Sequence, residues 1–328
     1  MKAVILAAGF GTRMGKLTQY LPKPLIPIAN KPLIQHLLEC LHACNIDEFI
    51  IAVGHLENQM NQFLNDLREL GFNITSIYAK NYSKGPIYSF YACLDAIDQD
   101  QFLLTPADLY IETTALLEFL QKSKNDPLAF AFYDTSPYSN QPSLSLSKNN
   151  LVNTINTKLT LHDPGAKVLL PLMVSRIDLR NYIERGIELA FTKVMDVIQD
   201  YLTKGNKAFA YNVKDSSLFE IDSILEALNV NQIILQTLPI QDLSFKKNND
   251  NKYRQVNFIS PVLIGKNVQI DQSSIIGPNV SIGNHTHIER NVKLHNTIVC
   301  PQSHVPANTT ISNAIFFKSP YTHYNEMR

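Results

Sequence analysis

Two cations and an acid stand near a glycine-rich turn, in an order suited to phosphate chemistry. The short aliphatic run Ala3 to Leu6 reads as a buried strand. It leads into Ala7-Ala8-Gly9-Phe10-Gly11-Thr12-Arg13, and Pro22-Lys23-Pro24-Leu25 follows. Small residues at a strand end let backbone N–H groups approach an anion closely, and Gly9 and Gly11 permit positive φ. Arg13 can grip phosphate with a two-pronged guanidinium, and Lys23 brings a compact charge. Asp108 ends the apolar run Phe102 to Thr105. Ligands of open α/β sheets bind beyond strand C-termini, so Asp108 faces the same edge as Gly9 to Arg13. An acid beside bound phosphate is unfavourable unless a cation lies between them, so Asp108 reads as a Mg²⁺ ligand, with a turn or helix-cap Asp as the alternative.

Other phosphate-binding turns fit less well. A dinucleotide fingerprint needs a third glycine where Met14 stands. It also wants an acid at the tip of the second strand, but Phe49 to Val53 runs into Gly54-His55. A P-loop needs Gly-Lys-Ser/Thr after its first glycine, and none follows. What remains is a non-Rossmann nucleotide site.

Leu6 to Arg13 together with Pro22-Lys23-Pro24-Leu25 resembles the double signature of the sugar-1-phosphate nucleotidylyltransferases. These include mannose-1-phosphate guanylyltransferases and glucose-1-phosphate thymidylyltransferases. The resemblance implies a Rossmann-like, mixed-sheet α/β nucleotidyltransferase domain. It makes Arg13 and Lys23 the catalytic cations and puts the nucleotide against Leu6, Ala7, Ala8, Gly9, Gly11 and Thr12. It adds Gly85 and Ser89 from the glycine-led segment as contacts to base and sugar. It also implies a second metal-binding Asp before the last helix of the domain. Asp222 in Phe219-Glu220-Ile221-Asp222-Ser223 takes that place, with Asp215 as the alternative and a helix cap as the structural use of Asp222. Two departures stand out. Met14-Gly15-Lys16-Leu17 occupies a stretch where the family usually has a proline, which leaves the path of the loop open. Thr157-Lys158 stands where members commonly hold the acceptor with a Glu-Lys pair, so Lys158 is a substrate candidate that competes with a plain surface lysine.

The implied reaction is Mg²⁺-dependent transfer of a nucleoside monophosphate from an NTP to a sugar 1-phosphate. Phe219 to Ser223 particularly resembles the phosphocholine cytidylyltransferase branch, which keeps a non-sugar phosphomonoester in view. A non-catalytic, nucleotide-sugar-sensing assembly subunit is the third reading.

The surrounding elements follow from periodicity. Lys31-Pro32 opens a helix with Leu33, Leu37, Leu38 and Leu41 on one stripe. Further helices are expected over about 57–70, from Gly85-Pro86 to Ile97, and over 179–185 and 193–203. Strands are expected at 49–53, 102–105, 128–133, 166–174 and 208–213, with a hairpin over 143–157. Ile264, Ile270, Ile276, Ile282, Ile288 and Leu294 recur every sixth residue, with Val268, Val280, Val292 and Ile298 in a second register. That period fits a short left-handed parallel β-helix, with Phe316, Phe317 and Tyr321 at its open end. The expected division is a nucleotidyltransferase domain over 1–240, a linker over 241–256 and the β-helix over 257–328.

With 29 basic and 29 acidic residues the formal net charge is zero, so no bulk field favours nucleic acid. No run is long enough to span a bilayer, and no signal peptide is legible. Four scattered cysteines without a CxxC pair suit reduced core thiols and a cytoplasmic location. Short prisms often mediate self-association, so a homo-oligomer is expected.

Overall fold

The computed structural model describes residues 1–99, 101–134, 142–156, 167–214, 217–239, 253 and 255–317. The chain divides into two compact units. One comprises Met1–Phe10 and Leu37–Phe219, the other Gly11–His36 and Glu220–Arg328. Lys158, Asp215 and Tyr321 lie outside the described residues, as does nearly all of the segment read as a linker.

The first unit is built on a mixed sheet, nine-stranded among the described residues. The strand Lys2–Leu6 lies between Glu48–Val53 and Phe102–Pro106, parallel to both, and Asn73–Tyr78 extends the parallel edge. Ala3, Val4 and Ile5 are all fully buried, as expected of a parallel strand covered on both faces. Beyond Phe102–Pro106 the order turns antiparallel through Lys167–Ser175. Ser143–Leu146 and Val152–Asn156 form the expected hairpin, turning at Asn149 and Asn150, both with positive φ. The helices Pro86–Cys93, Arg180–Glu188 and Val194–Thr203 supply Ile87, Phe90, Ile183, Val197 and Ile198 to one core. The helix Glu57–Glu69 packs on the two strands it connects.

The second unit is a parallel β-helix with a helix and the signature loop packed on it. Three ladders run through it, and all are parallel. The first turn of the ladder advances from Val262 to Val280, which is eighteen residues or three hexads. The next advances from Val280 only to Thr297, one residue short. The interior therefore follows Ile264 to Leu294 at the expected sixth positions, then shifts to Val299, Val305 and Ile311. Ile298, expected in the second interior register, instead shares a rung with Ser281 and Ile315. The helix Ile224–Thr237 packs over the strands carrying that rung.

Two further expectations differ locally. Pro32 does not open a helix: Lys31–Pro32 pairs with Pro27–Ile28 in a small hairpin, and the helix Leu33–Ala43 begins just after it. Phe316 closes the prism core, but Phe317 stacks on Tyr20, with ring centroids 6.3 Å apart. Tyr253 packs edge-on against Phe258 and donates its hydroxyl to the Val268 carbonyl.

Candidate active site

The first half of the signature is set by the parallel sheet. Where Lys2–Leu6 ends, the Ala7 N–H donates to the Ala52 carbonyl and the Ala8 carbonyl accepts from His55, at 2.9 and 3.0 Å. The Ala107 N–H donates to the Leu6 carbonyl at 3.0 Å. Asp108 follows in the turn after Phe102–Pro106, half-buried, so it stands at the strand end beside the one that carries Ala7 to Phe10. Ala7 and Ala8 are buried and Gly9 is exposed, with open space around it. Phe10 lies against His55 and Tyr82, each at 5.2 Å between ring centroids.

Gly85 heads the helix Pro86–Cys93 with φ 132, and a Cβ there would lie 2.4 Å from the Thr192 carbonyl oxygen. Close backbone packing already accounts for this glycine. Ser89 is buried in the second turn of the same helix.

The second half of the signature is set by side chains. Gly11 adopts the positive φ that glycine allows (64°), whereas Gly9 does not. A Cβ on Gly11 would come within 2.9 Å of the Lys23 Cβ, so glycine also makes room for that lysine. Thr12 opens a 3₁₀ segment that runs to Gln19 and kinks at Gly15. This is the path left open by the missing proline: Met14 turns inward, 1% exposed, and Gly15 takes up the reversal. Thr18 then donates its hydroxyl to the Gly11 carbonyl at 3.0 Å, closing the loop.

Lys23 begins a single 3₁₀ turn, Lys23–Leu25, and its side chain is only 10% exposed. Its ammonium meets one oxygen of Asp222 at 2.6 Å, and the Arg13 guanidinium meets the other at 2.5 Å. Arg13 is mostly exposed. One carboxylate therefore gathers both catalytic candidates. A buried ammonium without a counter-charge would be costly, and Asp222 supplies that charge.

The helix cap has a different owner from the one the sequence allowed. Ser223, not Asp222, caps Ile224–Thr237, accepting from the Glu226 N–H. Glu226 returns its carboxylate to the Asp222 N–H at 2.7 Å and to the Ser223 hydroxyl at 3.0 Å. This variant of a capping box leaves the Asp222 side chain to the cations. Glu220, which motif reading passed over, lies two residues earlier and brings a carboxylate oxygen within 4.8 Å of one from Asp222. Paired carboxylate oxygens form a hard donor set suited to Mg²⁺.

No cysteine offers a nucleophile by geometry: all four are buried and free. Burial pushes the thiols of Cys93 and Cys300 up to about 12, so both stay protonated at neutral pH. Among the described residues no helix is long and apolar enough to cross a membrane.

Comparison with known proteins shows the family. Residues 3–174, more than half of the chain, match the MobA-like NTP transferase domain family. Residues 258–319 match a family described as the GMPPB C-terminal domain. The chain is 26% identical over 324 residues to a probable mannose-1-phosphate guanylyltransferase 2 of Oryza sativa subsp. japonica, covering 96% of this chain and 85% of the relative. It is 27% identical over 287 residues to a mannose-1-phosphate guanyltransferase of Gibberella zeae, covering 85% and 74%. In fold it resembles the CTP:phosphocholine cytidylyltransferase of Streptococcus pneumoniae, with a TM-score of 0.58 and 20% identity over 71% of this chain and 98% of that one.

Proposed function

Because the chain belongs to the MobA-like NTP transferase domain family, we propose that it transfers a nucleoside monophosphate from a nucleoside triphosphate to a sugar 1-phosphate. An oxygen of the sugar phosphate attacks the α-phosphorus, the α–β bridging bond breaks, and pyrophosphate leaves. A phosphomonoester is already anionic near neutral pH, so the site needs no general base. What it must supply is in-line positioning and charge neutralisation. The observation that carries the reading is the pairing of Lys23 and Arg13 on Asp222.

In the substrate-free chain Asp222 holds both cations in place. An arriving triphosphate offers stronger acceptors, and Arg13 turns its two-pronged donor toward the β- and γ-phosphates. Lys23 neutralises the α-phosphate and the attacking oxygen. N–H groups from Gly9 to Thr12 donate to phosphate oxygens, with the base toward Ala8 and Gly85 and Ser89 beside the sugar. Asp222, with Glu220 next to it, would hold Mg²⁺, and the same assignment gives Asp108 to that ion. When bound, the ion would screen the negative charge shared by the two phosphate groups. The proposed transfer does not draw on Lys158.

The identities of the two guanylyltransferase relatives favour GTP with mannose 1-phosphate. A second reading, CTP with phosphocholine, rests on Phe219 to Ser223 and on Thr157-Lys158 in place of a Glu-Lys pair. Pyrophosphate release from GTP, UTP and CTP, each with mannose 1-phosphate, glucose 1-phosphate and phosphocholine, tests both. The expected result is release with GTP and mannose 1-phosphate, abolished by EDTA and restored by Mg²⁺. Release only with CTP and phosphocholine would move the chain to the second reading. Tight nucleotide-sugar binding with no release from any pair would favour a sensing subunit. Self-association through the prism and a cytoplasmic location belong to the same proposal, and light scattering checks the first.

A further inference from the structure

The helix that brings Asp222 to Lys23 grips the same loop a second time. Asn231, on Ile224–Thr237, is fully buried. Its Oδ1 accepts from the Ala29 N–H at 2.8 Å and from the Ser281 hydroxyl at 2.9 Å. Ala29 and Asn30 form the corner of the hairpin between Pro27–Ile28 and Lys31–Pro32, with φ of 46° and 63°. An alanine in the left-handed region is strained and must be held by its surroundings. Its N–H points at Asn231, and the Asn30 amide reaches the Leu263 carbonyl of the prism at 3.5 Å.

A short, rigid path joins this corner to Lys23. The hairpin mouth closes where the Leu33 N–H donates to the Ile26 carbonyl at 3.1 Å, and both residues are buried. Ile26 in turn donates its N–H to the Lys23 carbonyl at 3.1 Å. Ser281, at the other end, is a fully buried hydroxyl on the outward rung of the prism, with Val262–Ile264 and Thr297–Val299 strands on either side. A buried serine and a buried asparagine at that position do not serve apolar packing, and their common use is the Ala29 corner.

We propose that Asn231 is a positioning residue for the transfer reaction: through Ser281 it uses the prism as a fixed backing for the Ala29–Asn30 corner and so sets Lys23. This rests on the reading of Lys23 as a catalytic cation, while the attachment itself is testable without turnover. The β-helix is then part of the machinery that aims the lysine, in addition to any role in assembly.

The test compares full-length Asn231→Ala, Ser281→Ala, Lys23→Ala and the Asn231→Ala/Lys23→Ala double variant. Amide hydrogen exchange over residues 22–33 is followed in the substrate-free protein, and pyrophosphate release with GTP and mannose 1-phosphate. Asn231→Ala is expected to speed exchange at the corner about tenfold while distant strands keep their protection. It should lower kcat by about ten- to hundredfold, the scale of a small misplacement of a catalytic group. In the Lys23→Ala background it should cost nothing further, because its effect runs through that lysine. Ser281→Ala should show the same pattern more weakly, and decides the matter if Asn231→Ala does not fold. Unchanged exchange over 22–33 in both variants would overturn the proposal, as would losses that multiply fully with Lys23→Ala. Absence of release by the wild-type chain counts against the functional reading alone, since exchange still reports on the attachment.

Discussion

The two halves of the signature sequence are held by opposite means. Leu6 to Phe10 is fixed by main chain: its carbonyls and N–H groups bond to Ala52, His55 and Ala107 at the ends of neighbouring strands. Gly11 to Lys23 is fixed by side chains: Thr18 closes on Gly11, and Lys23 and Arg13 converge on Asp222. Main-chain bonds do not depend on residue type, so the first half constrains volume. Ion pairs depend on charge and reach, so the second half constrains chemistry. A residue can therefore matter in one half for what it lacks and in the other for what it carries.

Charge in the second half gives the largest expected effect. Lys23→Ala should lower pyrophosphate release by about a thousandfold, the scale of losing one charge-stabilising group, in steady-state assays with GTP and mannose 1-phosphate. Lys158→Ala should stay near the wild-type rate. Equal losses for the two lysines would erase the distinction between a lysine gathered by Asp222 and one that merely lies in the chain.

Volume in the first half gives the next. A Cβ on Gly54 would lie 2.6 Å from the Tyr82 ring and 2.9 Å from the Ala8 Cβ. Gly54→Ala should lower stability by about 1–3 kcal/mol in chemical denaturation, the cost of overpacking. Adding Tyr82→Ala should recover part of that loss. If the second substitution only adds to the damage, space is not what the glycine provides.

The smallest effect separates the cap from the cation-holder. Ser223→Ala should lower stability by about 1 kcal/mol in thermal melts, as for other N-caps. Activity at temperatures well below the melt should hold, because Asp222 keeps both ion pairs. A large fall in activity would mean that the cap also aims the carboxylate.

Much of this was legible in the residues. Ala3 to Leu6 is too apolar to sit anywhere but inside a sheet, and the hairpin around Asn149-Asn150 follows from turn chemistry. The hexads gave away the prism because six residues per face is a period neither helix nor ordinary strand can satisfy. Asp222 was within reach as a motif residue, but its cap-or-ligand ambiguity was not resolvable locally, since Asp and Ser are both good caps. Glu220 left no signal apart from its nearness to Asp222. The shortened coil after Leu294 broke the count by one residue, and only pairing across coils reveals which neighbour turns inward.

Sequence alone determined the local grammar of this protein: where strands end in small residues, which period each stretch obeys, and which charges are available. Those properties come from steric and hydrophobic preferences that act over a few residues. Tertiary structure decided the partnerships. Lys23 meets Asp222 across 199 positions, and Asn231 reaches Ala29 and Ser281 across 202 and 50. Such meetings depend on how whole elements pack. No short-range preference encodes them, because each partner would satisfy its own neighbourhood equally well without the other.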